Sequence, residues 1–345
     1  MTVHTKRLSL MSAVCFGLMM GGPGDATADP VVNWRVQVLF PAGDRLYEHF
    51  KECTESMAAM SGDRIAFDVL PAGAAIGAGG TLDAIRTGVL DAHFSYAPIW
   101  AGTEPAFGVL GDLPGGHPSQ ESAYDFFYNG PGLELMRRAY DRFNGYVIGI
   151  VPSGVEALSS RTEIAGVEDL EGLQIRLPAG IAATVFERLG AAPVSLPLSE
   201  AFGALEKGVV DAADIGSLAY NNDLGVYRFA NYAVAPSPHS NVIVDFTVNK
   251  SKWNAVPDDL KAILEVGMQA CGATLMGKIA RADQEVIEAA EEMGLTITTW
   301  SQEDLDRFRN VAFEVWDEWA ERSELAADAV EAQRSFMEER GIINQ

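Results

Sequence analysis

After Pro257 the chain runs to its last residue, Gln345, without another proline. Proline suits the first turn of a helix, and Gly294 suits the left-handed residue that ends one, so residues 258–293 read as a single nearly unbroken helix. Gly267, Gly272 and Gly277 weaken it as a straight rod. At ~1.5 Å per residue the helix would extend roughly 50 Å, longer than one domain of this size is wide. A helix of that length is expected to run across two lobes.

The other end of the mature chain opens as α/β. Trp34, Val36, Val38 and Phe40 alternate as a strand, and Asp44 is placed to cap a helix whose stripe is Leu46, Phe50, Cys53, Met57 and Met60. Ile65, Phe67 and Val69 alternate again, which completes a β-α-β unit with parallel strands. A weak internal echo adds to this. "LDAIRTGVLDAHFS" (82–95) and "GALEKGVVDAADIG" (203–216) each carry a helix end, a glycine, two aliphatics and Asp-Ala. The same helix-into-strand device used twice points to two similarly built domains.

Lys6 and Arg7 precede a mainly apolar run from Leu8 to Met20, followed by Ala26-Thr27-Ala28. This reads as a secretory signal peptide over residues 1–28, cleaved after Ala28, since the run is too short to span a bilayer. The expected product is a soluble exported chain. The sequence holds 25 Lys and Arg against 48 Asp and Glu, a formal charge of −23. Such a surface repels polyanions, so nucleic acid is disfavoured as a partner. A small anion is not excluded, because charges beyond roughly 10 Å are screened. Beyond the leader only Cys53 and Cys271 remain. They are free to pair in an oxidising compartment, but Cys53 sits in the apolar stripe and reads more simply as a small buried hydrophobe.

Catalytic patterns are hard to find. No two of the five histidines have the spacing of a helical zinc pair, and there is no G-x-S-x-G elbow. "GAAIGAGGTL" (73–82) lacks the third glycine of a dinucleotide loop and reads as a flexible approach to a helix. Carboxylates are plentiful, and nothing singles out a pair. An exported two-lobed chain without an evident nucleophile, metal box or cofactor loop suits binding and release better than turnover. A secreted enzyme using scattered carboxylates, or a ligand sensor, is the alternative. In "GLQIRLPAG" (172–180), Leu173, Ile175 and Leu177 share one face of a strand, and Arg176 lies on the other with Gln174. Arg176 therefore points either into bulk water or into a cleft that holds an anion.

"DLEGLQIRLP" (169–178), "RLGAAPVSLPLSEAFGALEKGVVDAAD" (188–214), "VNKSKWNAVPDDLKAIL" (248–264) and "AIRTGVLDAHFS" together resemble the DctP-type solute-binding subunits of tripartite ATP-independent periplasmic (TRAP) transporters. "EPAFGVLGDLPGG", "GPGLELM" and "LGVY" look most like the branch that binds 2-oxo acids and hydroxy acids such as lactate. The resemblance implies an α/β, two-lobed periplasmic binding protein fold with crossing hinge strands and a long helix spanning both lobes. Lobe I would take residues 29–153 plus 242–283, and lobe II 154–241 plus 284–345. The function implied is a periplasmic receptor for a small organic acid anion that delivers it to small and large TRAP membrane subunits.

The family's arginine matches Arg176, which would bridge a substrate carboxylate through two parallel N–H groups. Tyr96 matches an aromatic whose hydroxyl donates to the ligand, although a tyrosine at the edge of the core is an equal reading. In the 2-oxo acid branch a cation sits beside the carboxylate. The matching positions here are Glu156, Asp214 with Ile215, and His239, each a different residue from the family's own. Glu156 and Asp214 offer oxygen ligands for Na⁺ or Ca²⁺, whereas His239 is a poor ligand for such hard ions. His239 would instead donate to the substrate or close the "PSPH" loop. Ile215 stands where the branch has tryptophan, which implies a larger or more branched ligand than pyruvate. Tyr220 and Asn221 either line that site or cap a turn. The helix from Glu321 to Arg340 either pairs two copies as a homodimer or lies exposed.

Overall fold

The structure, a computed structural model, describes residue 1, residues 31–239 and residues 241–343. The expected leader and its cleavage site lie outside the described residues. Among the described residues no helix is long and apolar enough to cross a membrane.

The strands in chain order are β1 Val32–Val38, β2 Ile65–Leu70, β3 Ala92–Ser95, β4 Gly145–Val155, β5 Ala157–Ser160, β6 Gln174–Leu177, β7 Ala192–Ser195, β8 Ala212–Gly216, β9 Tyr232–Val234, β10 Asn241–Asn249 and β11 Thr296–Thr298. They form two mixed sheets, in the orders β2-β1-β3-β10-β4 and β11-β9-β5-β8-β6-β7. The expected opening unit is present, with β1 parallel to β2 and Asp44 accepting from Leu46 N at the start of helix Arg45–Met60. Both copies of the echo behave alike. Helix Thr81–Thr87 turns into β3 through Gly88, and helix Leu198–Glu206 into β8 through Gly208, each glycine at positive φ.

The chain passes between the sheets at three places. β4 leaves the first sheet and β5 enters the second with Glu156 between them. β9 leaves the second and β10 re-enters the first, and His239 lies on the stretch between them. The third crossing is the long helix, Asp258–Met293, ended by Gly294 in the left-handed region as expected. Its Leu260, Leu264, Met268, Cys271, Leu275 and Ile279 join the core under the first sheet. Val286, two turns further on, joins the core under the second. The helical glycines turn out to serve packing. A Cβ on Gly267 would lie 2.5 Å from Met57 Cγ, and one on Gly272 3.1 Å from the Ile150 carbonyl, so the helix needs glycine to lie this close to its neighbours.

Cys53 is buried, as its place in the stripe requires, but it is more than a small hydrophobe. It forms a disulfide with Cys271 that ties helix Arg45–Met60 to the long helix, with Cα atoms 5.7 Å apart. At the C-terminus, helix Gln302–Ala320 lies on helix Ile181–Arg188, and helix Glu324–Glu339 lies on helices Ala106–Gly111 and Gly132–Asp141.

Candidate functional site

Arg176 sits on β6, paired with Val194 on β7 and Ala213 on β8. The alternation holds. Ile175 and Leu177 enter the core, with Leu173 packed against it, and the Arg176 side chain emerges on the other face. That face is not bulk water, since Arg176 is only 6% exposed. Nε and Nη2 donate to the Leu196 carbonyl at 3.1 and 3.0 Å, and Nη1 donates to the Asp214 carbonyl. A guanidinium has five N–H donors, so one N–H remains on each terminal nitrogen. The strand stops at Pro178, and Gly180 turns the chain into helix Ile181–Arg188 at φ 138°, a conformation side chains rarely adopt.

Around Arg176 lie Tyr96, Asp112, Glu156, Asp214 and His239, and it feels the charges of the first four. Asp112, Glu156, Asp214 and His239 are all buried, Asp214 and His239 almost completely. The two hinge crossings supply Glu156 and His239. Ser237 N donates to the Glu156 carbonyl at 3.0 Å, the Ser237 hydroxyl accepts from His239 N at 3.2 Å, and Gly115 N donates to the His239 carbonyl at 2.9 Å. These bonds place the imidazole among three carboxylates. His239 Nε2 is 2.9 Å from Asp112 Oδ1, Nδ1 is 2.7 Å from Glu156 Oε2, and Nδ1 also meets Asp214 Oδ2. The Tyr96 hydroxyl donates to Asp112 Oδ2. His239 Nδ1 and Asp214 Oδ2 are hydrogen-bonded, whereas Asp112 Oδ1, Glu156 Oε2 and His239 Nε2 have no aligned partner, so the ring's contacts with Asp112 and Glu156 are mainly ionic.

Burial drives the Glu156 carboxyl well above the usual carboxylate range, and the Asp214 charge adds to the effect. Asp214 meets the same burial, but His239 pulls it below its ordinary value, with Arg176 helping. Burial alone would depress His239. Asp112, Asp214 and Glu156 outweigh it and hold the imidazole well above its usual range. Burial also lowers Arg176, against the neighbouring negative charges.

A hard cation does not fit this donor set as it stands. Na⁺ and Ca²⁺ take several oxygen ligands around one centre, about 6–8 for Ca²⁺. Here an imidazole ring stands between the carboxylates, with acid oxygens against both of its nitrogens. Asp112, Glu156 and His239 have ligating atoms within 4.8 Å of one another, but a metal can take only one ring nitrogen, and Asp112 faces the other.

Not every residue singled out in the sequence joins this cluster. Arg176, Tyr96, Glu156, Asp214 and His239 do. Ile215 points to the opposite face of β8, into the second core with Leu218, Val226 and Val286. Asn221 is buried, and its amide donates to the Ala157 and Gly216 carbonyls and the Ser159 hydroxyl. Tyr220 reaches across to the first sheet's unit, where its hydroxyl donates to Asp44 Oδ2 at 2.8 Å. Asp112 is a member that sequence reasoning missed. Its signal was an acid inside the apolar run "AFGVLGDLPGG", every residue of which from Ala106 to Leu113 is buried. Beside Tyr96 and Asp112 a narrow recess opens, bounded by Pro98, Gly108, Pro178 and Gly180.

Comparison with known proteins gives a consistent answer. The family model for bacterial extracellular solute-binding protein, family 7 (DctP), matches residues 36–323. A curated relative, the monocarboxylate 2-oxoacid-binding periplasmic protein all3028 of Nostoc sp., is 24% identical over 89% of this chain and 84% of its own length. A solved TRAP periplasmic solute-binding protein from Rhodobacter sphaeroides, in an apo open form, is 32% identical. It superposes with a TM-score of 0.78 over 91% of this chain and 100% of its own. A TRAP solute-binding protein from Pseudoalteromonas atlantica, solved with sodium and pyruvate, shares the fold at a TM-score of 0.80 and 24% identity, over 90% of this chain and 95% of its own.

Proposed function

The chain belongs to the bacterial extracellular solute-binding protein family 7, DctP, and from that premise we propose that it is the extracytoplasmic receptor of a TRAP transporter. It binds a small organic carboxylate of the 2-oxo or 2-hydroxy acid class between two lobes, releases it unchanged, and passes it to small and large membrane subunits for uptake driven by an ion gradient. Lobe I is residues 29–153 with 242–283, and the last helix, Glu324–Glu339, packs on it; lobe II is 154–241 with 284–323, and the exported chain begins at Asp29 in the periplasm.

The observation that carries this reading is Arg176, buried between the sheets with one N–H left on each terminal nitrogen. Two N–H groups in one plane match the two oxygens of a carboxylate, and a site closed to water strengthens the pair. The carbonyls of Leu196 and Asp214 hold the guanidinium in place, so little ordering remains to be done when the ligand arrives. The Tyr96 hydroxyl donates to Asp112 Oδ2, which leaves its oxygen as an acceptor for a ligand hydroxyl and not for the carboxylate. The Nostoc relative's 2-oxo acid ligands and the pyruvate of the Pseudoalteromonas structure support the choice of class.

The test is calorimetric titration of the mature protein with pyruvate, lactate, larger 2-oxo acids and matched uncharged amides. The acids should bind and the amides should not. Arg176→Gln removes one partner of a buried charge-assisted pair, which costs about 2–5 kcal/mol, or roughly 30- to 5000-fold in Kd. An Arg176→Gln protein that stays folded and binds the acids as well as wild type refutes the assignment, and turnover of the bound acid refutes the receptor role.

A further inference from the structure

His239 is an unusual occupant for the middle of an acid cluster. The ring is wholly buried and lies edge-on to Phe186, with centroids 6.2 Å apart and planes at 88°. Asp112 faces one nitrogen at 2.9 Å, and Glu156, at 2.7 Å, and Asp214 face the other. A neutral imidazole has one N–H and one lone pair, and the lone pair would be set against a carboxylate on one side or the other. Only a ring that carries a proton on both nitrogens suits acid oxygens on both sides. Its backbone is fixed by Ser237 and Gly115, so the ring is a fixed part of the crossing between β9 and β10.

The charge balance gives this a consequence. An incoming carboxylate meets Arg176, but it also enters the field of Asp112 and Asp214, with the Glu156 carboxyl beside them. One guanidinium does not offset that field, and a second positive charge is needed beside it. We propose that the His239 side chain is the built-in cation of this binding site, supplying the positive charge that a bound metal ion would otherwise bring, so that the receptor takes up its carboxylate without a metal. This rests on the carboxylate-binding reading above. It makes His239 a residue that determines how the ligand's charge is accommodated, with Asp112, Glu156 and Asp214 as its holders.

The experiment uses the full mature protein, dialysed against EDTA into sodium-free buffer. CaCl₂ titrated alone should give no binding heat. Pyruvate and lactate should bind with Kd values within about twofold of those in buffer carrying NaCl or CaCl₂. A loss of about tenfold or more on chelation, restored by Ca²⁺ or Na⁺, overturns the proposal while leaving the receptor reading intact. His239→Gln removes the charge and should weaken binding by about tenfold or more in every buffer. His239→Glu returns an oxygen donor in place of the cation and should make binding depend on added CaCl₂. Should both variants fail to fold by circular dichroism, the wild-type chelation result decides alone. If they fold and bind pyruvate as wild type does, the proposal is overturned. Wild-type protein that binds no carboxylate in any buffer overturns the receptor reading, and this inference with it.

Discussion

Removing the Tyr220 hydroxyl should weaken ligand binding without touching the binding cluster. Tyr220 lies on helix Leu218–Asp223, just after β8 of the second sheet, and Asp44 caps helix Arg45–Met60 after β1 of the first. Their 2.8 Å bond therefore joins the two lobes. Asp44 divides its oxygens: Oδ1 accepts from Leu46 N at 2.8 Å and Oδ2 from Tyr220, so Tyr220→Phe leaves the helix cap intact. The ring itself stays put, because a Cβ on Gly216 would lie only 2.7 Å from it. A hydrogen bond to a charged group contributes about 1.5–3 kcal/mol, and solvent at this half-buried rim reduces that to about 1–2 kcal/mol. If ligand is held only by the closed form, the whole of this appears in apparent affinity, as a factor of about 5–30 in Kd. The neighbouring Arg45–Asp223 pair, at 2.6 Å but with side chains 30% and 46% exposed, should contribute less. Arg45→Ala is expected to cost about threefold or less. Calorimetry gives Kd, stopped-flow should place most of the change in dissociation, and small-angle scattering should show a more open unliganded Tyr220→Phe protein. An unchanged Kd together with an unchanged scattering profile would refute a closure latch at this rim.

Other outcomes follow from the same structure. The disulfide between Cys53 and Cys271 closes a loop with a sequence separation of 218. Chain entropy sets its contribution at about 5 kcal/mol at most, so Cys53→Ser/Cys271→Ser should shift the guanidinium midpoint well down while the protein still binds ligand. His117 is pushed down to about 4 by burial, against the nearby Gln333 side chain and the charge of Asp125. Below its ordinary value the unfolded chain takes up a proton there and the folded protein does not, so stability falls as pH drops from about 6.5 toward 4, by at most about 3 kcal/mol. His117→Gln should flatten that part of the stability profile measured by urea unfolding. Gly149→Ala would set a Cβ 2.8 Å from both Met268 Cβ and the Tyr128 hydroxyl, which pushes the long helix off β4. It should lower stability by about 1–3 kcal/mol.

What was legible in the sequence was what is decided locally. The long helix starts after Pro257 and ends at Gly294 because both signals act within one turn, and Asp44 caps its helix for the same reason. The alternation around Arg176 identified its face correctly, but an isolated strand does not say whether that face meets water or another lobe. Closure by Tyr96 and Asp112 from the first lobe decides it. Asp112 and His239 lie far apart in sequence, and they meet only because Ser237 and His239 are pinned to Glu156 and Gly115. The family resemblance puts Ile215 at the site, in the place of a tryptophan, and Asn221 follows it on the same segment. Alternation along β8 sends Ile215 the other way, and the start of the next helix turns Asn221 back onto β5. The disulfide likewise depends on two helices packing side by side, which no spacing along the chain reveals.

The most direct measurement is a crystal structure of the mature protein grown with the tightest-binding carboxylate. The account predicts the ligand's two carboxylate oxygens on Arg176 Nη1 and Nη2, with the guanidinium still held by the Leu196 and Asp214 carbonyls. A ligand bound in the cleft with its carboxylate turned away from Arg176, or bound outside the cleft altogether, would contradict it.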